Sequence, residues 1–293
     1  MIKFVNAKIN LGLDIVARRP DGYHDLQTVF YPVGVLSGTP RSPWPFADII
    51  EVTRGGAEDR LLLTGRKVDC ALERNLVWRA LRAYRERLAR EGLSDCLGHV
   101  SLTLEKHLPD GAGLGGGSAD ATFTLEILEQ LSGGVLGRQA LSEIALSLGA
   151  DCPFFLLNQC AYAEGVGEKL EPLPLSLAGM WCVIVKPPVS ISTARAFAGV
   201  KPARPEFDLR KLPELPVAEW RGVVKNDFEQ SLFPQFPQLG EIKETLYEAG
   251  ALYASMSGSG SSLYGLFADY ATAVKAYERW ESTDRAVWLL LLT

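Results

Sequence analysis

The sequence contains no long apolar run, no excess of basic residues and no cysteine pattern typical of a disulfide framework. Since no apolar stretch reaches the roughly 20 residues that a membrane-spanning helix needs, we expect no membrane partner. The chain carries 30 basic and 35 acidic residues, and the basic residues form no block. A net charge of −5 distributed in this way argues against nucleic acid as a main partner.

Cysteine and histidine are both scarce. The five cysteines form no C-x-x-C pair and the three histidines no close cluster with them, which argues against a structural zinc site. An odd number of unpatterned cysteines favours reduced thiols, as in the cytoplasm. Residues 1–16 do not fit a signal peptide, because polar side chains such as Lys3 and Asn6 interrupt their apolar run. We therefore expect a protein of the bacterial cytoplasm.

The patterns that are present predict an α+β protein of two domains, because 293 residues suffice for two hydrophobic cores. In the first half, alternating apolar residues predict strands, and apolar residues three and four apart predict helices. The predicted strands cover residues 4–13 and 100–104, and the predicted helices cover 75–92, about 118–131 and 138–148. The last of these helices is expected to end at Gly149.

The second half shows strand and helix patterns in the order β-α-β-β-α-β, the ferredoxin-like or split βαβ arrangement. Its predicted strands cover residues 180–186, 251–256, 262–267 and 286–292, and its helices lie around 239–250 and 274–277. A proline-rich stretch, 200–217, is inserted between the first strand and the first helix. With a boundary near residue 160, the predicted domains are 1–160 and 161–293.

A glycine-rich run precedes the predicted helix 118–131, and five of the seven residues 111–117 are glycine. A dinucleotide fingerprint, G-x-G-x-x-G, matches the run but should leave a strand directly, and five residues intervene here. A Walker A loop fails because no lysine follows the glycines. The remaining interpretation is a loop that opens a helix near Ser118, whose backbone N–H groups would bind a phosphate. A flexible linker or tight turn is the alternative.

Three further stretches could supply the rest of a phosphoryl-transfer site. Lys8 and Asn10 alternate on the first strand and share a face, although that face could simply be the solvent side of a sheet. Asp151 stands just before Pro153, where a capped helix could start instead of a site. The glycines and serines of 256–265 could form either a site loop or a plain hairpin.

Taken together and in this order, the stretches resemble the GHMP kinase superfamily. The marks are an N-terminal strand with a lysine, an ATP loop of the type PDGAGLGGGSA (109–119) and a C-terminal loop of the type SGSGSS (257–262). The resemblance implies a two-domain α+β fold with an N-terminal domain like ribosomal protein S5 and a ferredoxin-like C-terminal domain. It also implies ATP and Mg²⁺ as cofactors, and a monomer or weak homodimer.

Within the superfamily, the resemblance is to the kinases that phosphorylate 4-diphosphocytidyl-2-C-methyl-D-erythritol in the methylerythritol phosphate route to isoprenoids. These kinases transfer the γ-phosphate of ATP to the C2 hydroxyl of this acceptor. The matching segments are AKINLGLDIVARRPDGYHDLQTVF (7–30), ERNLVWRA (73–80), GADCPFF (149–155), AEGVGEKL (163–170), PPVSISTARAF (187–197) and NDFE (226–229).

The resemblance implies roles for the catalytic and acceptor-binding residues. Asp151 matches the general base that takes the proton of the C2 hydroxyl, and Lys8 matches the lysine that keeps this aspartate ionised and stabilises the γ-phosphoryl. Asn10 would hydrogen-bond the acceptor. The residues expected to contact the cytidine or the rest of the acceptor are Tyr23, His24, Val166, Thr193 and Phe197.

The ATP-binding residues implied by the resemblance form one loop and two outlying positions. The loop is expected to hold the phosphates, and Ser118 is also a candidate Mg²⁺ ligand. Lys106 and Asn75 match positions near the adenine, although Asn75 could simply cap the 75–92 helix. The loop residues are Pro109, Asp110, Gly111, Ala112, Gly113, Leu114, Gly115, Gly116, Gly117 and Ser118.

Two other functions stay open at this point. Another GHMP kinase, for example one acting on mevalonate or homoserine, would share the loops but not the PDGYH segment (20–24). A catalytically silent nucleotide-binding paralogue would bind ATP without releasing ADP. The chain also departs from the family pattern, because Asp120 replaces an asparagine of some relatives and the Pro-rich loop 39–46 belongs to a longer stretch than expected.

Overall fold

The computed structural model describes residues 1–34, 46–68, 70–281 and 283–293. Most of the Pro-rich loop 39–46 lies outside the described residues. The chain forms two compact units: 1–7 with 47–110 and 115–158, and 8–46 with 111–114 and 159–293. Each unit combines several chain segments, and the division into 1–160 and 161–293 stays a prediction. Within the described residues, none of the helices has both the length and the apolar character required to cross a membrane.

The elements alternate along the chain in the manner of an α+β protein. The strands are β1 (Ile2–Arg18), β2 (His24–Val33), β3 (Ala47–Arg54), β4 (Arg60–Gly65), β5 (Val100–Lys106), β6 (Ala161–Gly165), β7 (Lys169–Pro172), β8 (Trp181–Lys186), β9 (Tyr253–Met256), β10 (Leu263–Phe267) and β11 (Ala286–Leu291). The α-helices are α1 (Leu76–Arg90), α2 (Gly116–Leu131), α3 (Gly137–Leu148), α4 (Cys152–Leu157), α5 (Thr193–Ala198), α6 (Asp227–Leu232), α7 (Pro237–Glu248) and α8 (Tyr270–Glu278).

The first unit contains four helices and strands in the order β4-β5-β3-β1. Its strands pair antiparallel except for β4 and β5, which are parallel. The predicted helices are confirmed as α1, α2 and α3. Helices α1 and α3 each bury a stripe of residues three and four apart, whereas α2 is buried on most of its sides. In α1 the stripe includes Val77, Leu81, Tyr84 and Leu88. Helix α3 ends before Gly149, whose φ of 177° is ordinary extended backbone rather than a left-handed cap.

The second unit confirms the predicted β-α-β-β-α-β order, with β8, α7, β9, β10, α8 and β11 in sequence. These strands form an antiparallel sheet in the order β11-β8-β10-β9. Helices α7 and α8 bury Leu239, Leu246 and Ala273 against this sheet. The insertion after β8 is richer than the sequence predicts, because it contains α5, α6 and two 3-10 helices, Leu209–Glu214 and Val217–Glu219.

Strand β1 is longer than the predicted 4–13 and carries a half-buried carboxyl group near its end. Asp14 lies next to Ile15, whose backbone N–H donates to Asp227 Oδ2 at 2.7 Å. Burial raises the pKa of Asp14 to about 7, the charges of Asp227 and Glu206 act in the same direction, and Lys225 opposes them. Asp14 therefore holds a proton in the folded chain at pH values where the unfolded chain has lost it.

This proton makes stability depend on pH. Because the pKa of Asp14 is raised in the folded state, its stabilising contribution is present below about pH 4 and is lost as pH rises through about 7. We expect Asp14→Asn to raise the free energy of unfolding at pH 8 by about 1–3 kcal/mol, after allowance for solvent screening. At pH 5 the gain should be far smaller. Urea unfolding at both pH values measures it, and an equal gain at both would contradict the prediction.

Candidate active site

In the second unit, a buried lysine joins the first strand to the glycine loop. Lys8 Nζ donates to Asn10 Oδ1 at 2.6 Å and to the Gly113 carbonyl at 2.9 Å. Asn10 Nδ2 donates in turn to Thr28 Oγ1 at 2.9 Å. Lys8 is 3% exposed and Asn10 is 2% exposed, so the solvent-face alternative is wrong for both. A buried ammonium in this position is suited to attract an anionic group.

The C-terminal Ser/Gly turn packs against this lysine. Ser257 Oγ donates to the Gly113 carbonyl at 2.8 Å, so that this carbonyl accepts from both Ser257 and Lys8. The Ser262 N–H donates to the Ala112 carbonyl at 3.1 Å. A Cβ atom on Gly258 would lie 3.4 Å from Lys8 Nζ, which shows how closely the turn approaches the ammonium. The turn is therefore both a hairpin between β9 and β10 and a support for the glycine loop.

The glycine loop alternates left-handed residues with ordinary ones. Gly111, Gly113 and Gly115 have φ values of 57°, 74° and 73°, which glycine adopts most readily. In the first unit, Gly115 occupies the N-cap of α2 and, as a glycine, has no side chain that could cap the helix. The first N–H groups of the 16-residue helix therefore point away from the helix without intrahelical acceptors. This arrangement fits an anion-binding helix N-terminus better than a linker.

Asp151 also lies in the first unit, close to the start of α2. It occupies the N-cap position of α4, but within the described residues its carboxylate makes no capping hydrogen bond, so the helix-cap alternative does not account for it. The neighbouring Cys152 is buried, and its backbone carbonyl accepts from Thr122 Oγ1 at 2.9 Å. Burial raises the pKa of Cys152 to about 11, and the charge of Asp151 adds to this shift. Cys152 therefore acts as a packing residue.

The two positions predicted near the adenine have structural partners inside the first unit. Asn75 Oδ1 accepts from the Val77 N–H at 2.9 Å, so Asn75 caps α1. Lys106 Nζ lies 2.5 Å from Asp48 Oδ2 and 2.8 Å from Asp120 Oδ2. Burial alone would lower the pKa of Lys106, but the charges of Asp120 and Asp48 outweigh burial and raise it. Nucleotide contacts by Asn75 and Lys106 stay predictions.

Sequence reasoning missed Asp48, which organises the chain just before the glycine loop. Its Oδ1 accepts from the backbone N–H groups of His107 at 2.6 Å and Leu108 at 2.8 Å, while Oδ2 pairs with Lys106. Asp48 is 0% exposed. Its only sequence signal is an aspartate in an apolar strand, a pattern that does not identify the partner 58 residues away.

The predicted acceptor-binding residues of the second unit include a pair of stacked rings. The His24 and Phe197 ring centroids are 4.8 Å apart with an interplanar angle of 19°. Tyr23, which precedes His24 in the sequence, is 64% exposed. It lies in a turn where its backbone N–H donates to Asp21 Oδ1. Thr193 is the first residue of α5, the helix that carries Phe197. Val166 follows β6, and its N–H donates to Glu168 Oε2 at 2.7 Å.

Comparisons with known proteins match this chain to one enzyme family over most of its length. The family model described as GHMP kinases N terminal domain matches residues 75–159, and the one described as GHMP kinases C terminal matches 210–286. A 4-diphosphocytidyl-2-C-methyl-D-erythritol kinase of Parabacteroides distasonis is 46% identical over 91% of this chain and 92% of its own. A crystal structure of 4-(cytidine 5'-diphospho)-2C-methyl-D-erythritol kinase is 34% identical, with a TM-score of 0.78 and coverage of 99% and 98%. The crystal structure of a homoserine kinase from Cytophaga hutchinsonii is 18% identical, with a TM-score of 0.68, and the match covers 99% of this chain and 94% of that one. At this identity the likeness shows the fold alone.

Proposed function

Because the chain belongs to the 4-diphosphocytidyl-2-C-methyl-D-erythritol kinase family of GHMP kinases, we propose that it phosphorylates the C2 hydroxyl of that acceptor. The chain is an ATP-dependent small-molecule kinase of the methylerythritol phosphate pathway, and its products are the 2-phosphate and ADP. The observation that carries this conclusion is the 46% identity to a kinase of this name over 91% of the chain. The buried Lys8 on the glycine loop supports the phosphoryl-transfer chemistry.

Lys8 and Asp151 take the two catalytic roles in this proposal. Lys8 stabilises the negative charge of the γ-phosphoryl in flight, since its ammonium is buried and already oriented by Asn10 and Gly113. Asp151 accepts the proton of the C2 hydroxyl as general base. Asn10, whose amide is fixed by Thr28, orients the acceptor hydroxyl.

The glycine loop and the first turn of α2 would hold the phosphates of a nucleotide that carries a magnesium ion. No cluster of three or more His, Cys, Asp or Glu side chains suited to a metal occurs among the residues that the structure describes. This donor set fits an ion carried mainly by the nucleotide phosphates and water, with the Ser118 hydroxyl as the one protein ligand proposed. When bound, the ion neutralises charge on the β- and γ-phosphates.

The stacked pair His24 and Phe197 offers an aromatic surface to the cytosine base of the acceptor. Phe197 also contacts Phe228 edge-on at a centroid distance of 4.9 Å, which fixes its orientation. Tyr23 is exposed and available to stack on the same base. We propose that Thr193 and Val166 contact the remainder of the acceptor.

Phe197→Leu is expected to raise the KM for the acceptor by about 5- to 30-fold, because stacking on a base contributes about 1–2 kcal/mol. The kcat and the KM for ATP should change less than about twofold, since the ring touches neither the phosphates nor the hydroxyl that reacts. Steady-state kinetics with each substrate varied in turn measures the effect. Phe236→Leu, a half-buried ring of the same unit, is the control. Equal KM values for both variants would contradict the assignment of Phe197.

The proposed function is tested by ADP release from MgATP with a panel of acceptors. We expect turnover with 4-diphosphocytidyl-2-C-methyl-D-erythritol and none with mevalonate or homoserine. Turnover with mevalonate or homoserine alone would overturn the substrate. ATP binding without ADP release for any acceptor, from folded protein, would instead favour the silent paralogue.

The location and assembly belong to the same proposal. All five cysteines are free, which fits a reducing cytoplasm where ATP is available. We propose a cytoplasmic monomer or weak homodimer, without nucleic acid or membrane as a partner.

A further inference from the structure

A single buried asparagine in the second unit connects three backbone segments through its side chain. Asn226 is 4% exposed and occupies the N-cap of α6, where its Oδ1 accepts from the Phe228 N–H at 3.0 Å. Its Nδ2 donates to the Met256 carbonyl at 2.8 Å and to the Gly258 carbonyl at 2.9 Å. The three partners of this amide all lie in the second unit. Both of its N–H donors go to the Ser/Gly turn.

The Ser/Gly turn (256–265) packs against Lys8, the proposed catalytic lysine. Gly258 has a φ of 54°, and a Cβ on it would lie 3.3 Å from Asn10 Oδ1 and 3.4 Å from Lys8 Nζ. The adjacent Ser257 donates to the Gly113 carbonyl, which is also an acceptor of Lys8. A displacement of the 256–258 backbone would therefore move both the wall beside the ammonium and one of its acceptors.

The same asparagine also borders the strand that carries Lys8. Leu13 of β1 forms an isolated parallel bridge with Asn226, and the Leu13 N–H donates to the Lys225 carbonyl at 2.8 Å. Asn226 thus sets the distance between β1 and the turn, the two backbone segments on which the ammonium depends. A helix cap alone would require only the side-chain oxygen, which leaves both amide donors unexplained.

We propose that Asn226 is a positioning residue for phosphoryl transfer, which holds the carbonyls of Met256 and Gly258 so that Lys8 and Asn10 keep their orientation. This inference rests on the proposed function, because it assigns Lys8 to the transition state. The loss of Asn226 should then lower kcat and leave both KM values nearly unchanged, since the interaction at stake develops as the phosphoryl group moves.

Asn226→Asp is the sharpest test because it keeps the size of the side chain while the donating nitrogen becomes the oxygen of a negatively charged carboxylate. The carboxylate keeps the shape and the cap on the Phe228 N–H, but it cannot donate, and it places an oxygen against two carbonyls. We expect kcat to fall about 10- to 100-fold, with both KM values within about threefold of the wild type. Asn226→Ser, which also caps but does not reach the turn, should lower kcat in the same direction.

A matched control separates positioning from general loss of stability. Asp269 caps α8 in the same unit and accepts from the Thr272 N–H at 2.9 Å. Asp269→Ala should lower the melting temperature through the loss of its cap, yet leave kcat within about twofold of the wild type. If both variants lose kcat in proportion to melting temperature, the positioning role is overturned.

Hydrogen–deuterium exchange gives a second readout that does not depend on the substrate. In the wild type, the N–H groups of Ser257, Gly260 and Ser262 donate within the turn or to the glycine loop. Their exchange should accelerate about tenfold in Asn226→Asp and stay unchanged in Asp269→Ala. Unchanged exchange in Asn226→Asp would overturn the proposal. If the wild type itself failed to turn over the acceptor, the proposed function would fall, and this exchange comparison would still decide whether Asn226 holds the turn.

Discussion

Replacing Gly113 by alanine is expected to reduce kcat/KM at least about 10³-fold and to destabilise the chain by about 2–5 kcal/mol. Gly113 has a φ of 74°, and an L-residue in this left-handed conformation costs about 1–2 kcal/mol. A Cβ would also lie 1.9 Å from the Ser257 carbonyl oxygen. Because that atom belongs to the backbone, no rotamer change relieves the contact, and overpacking adds about 1–3 kcal/mol.

The loss of activity follows from what the Gly113 carbonyl does. It accepts from Lys8 Nζ at 2.9 Å and from Ser257 Oγ at 2.8 Å, so a shifted loop leaves the buried ammonium without one of its acceptors. The phosphates would also meet a displaced loop, and both kcat and the KM for ATP should deteriorate.

Gly222→Ala is the matched control for this prediction. Gly222 lies in the same unit with a φ of 83°, but a Cβ there would have no atom within 4 Å. Its substitution should cost only the left-handed strain and leave kcat/KM within about twofold of the wild type. Urea unfolding and the ADP-release assay of both variants measure the difference. Similar stability and activity in the two variants would show that the close approach to Ser257 is unimportant.

Local periodicity was sufficient to predict most of the regular elements. The stripe of α1, the strand β5 and the β-α-β-β-α-β order of 181–291 follow from spacing that each segment carries by itself. The family could likewise be predicted, because the motifs recur in a fixed order along the chain, and the comparisons confirm it.

The surroundings of the candidate site could not be predicted, because they depend on contacts between distant segments. Alternation alone makes Lys8 and Asn10 equally compatible with a solvent face. The Gly113 carbonyl, 105 residues away, is one of the acceptors that satisfy the buried lysine, and spacing along the strand does not reveal it. In the sequence, Asp48 is one polar residue in an apolar strand. Its partners, Lys106 and two backbone N–H groups, are evident only in the structure. The spacing of residues around Asn226 does not indicate its role. Its side chain donates to two backbone carbonyls about 30 residues further along the chain.

Asp151→Asn is expected to lower kcat by about 10²- to 10⁴-fold, the contribution typical of a general base, with little change in either KM. The amide is nearly isosteric but cannot accept the proton of the C2 hydroxyl. The ADP-release assay with saturating MgATP and acceptor measures kcat, and thermal unfolding checks the fold.

Asp269→Asn provides the same chemical change at another helix N-cap and should leave kcat within about twofold of the wild type. A comparison of the two variants isolates the chemistry of position 151 from the loss of one negative charge, which both share. If Asp151→Asn kept more than about a tenth of the wild-type kcat, a general-base role would be excluded, since proton acceptance contributes at least about 10²-fold. Asp151 would then serve to orient the acceptor hydroxyl, and the effect of the substitution should appear in the acceptor KM, because orientation is lost in the ground state and the transition state alike. The division of the effect between kcat and KM therefore distinguishes the two roles of the same carboxylate.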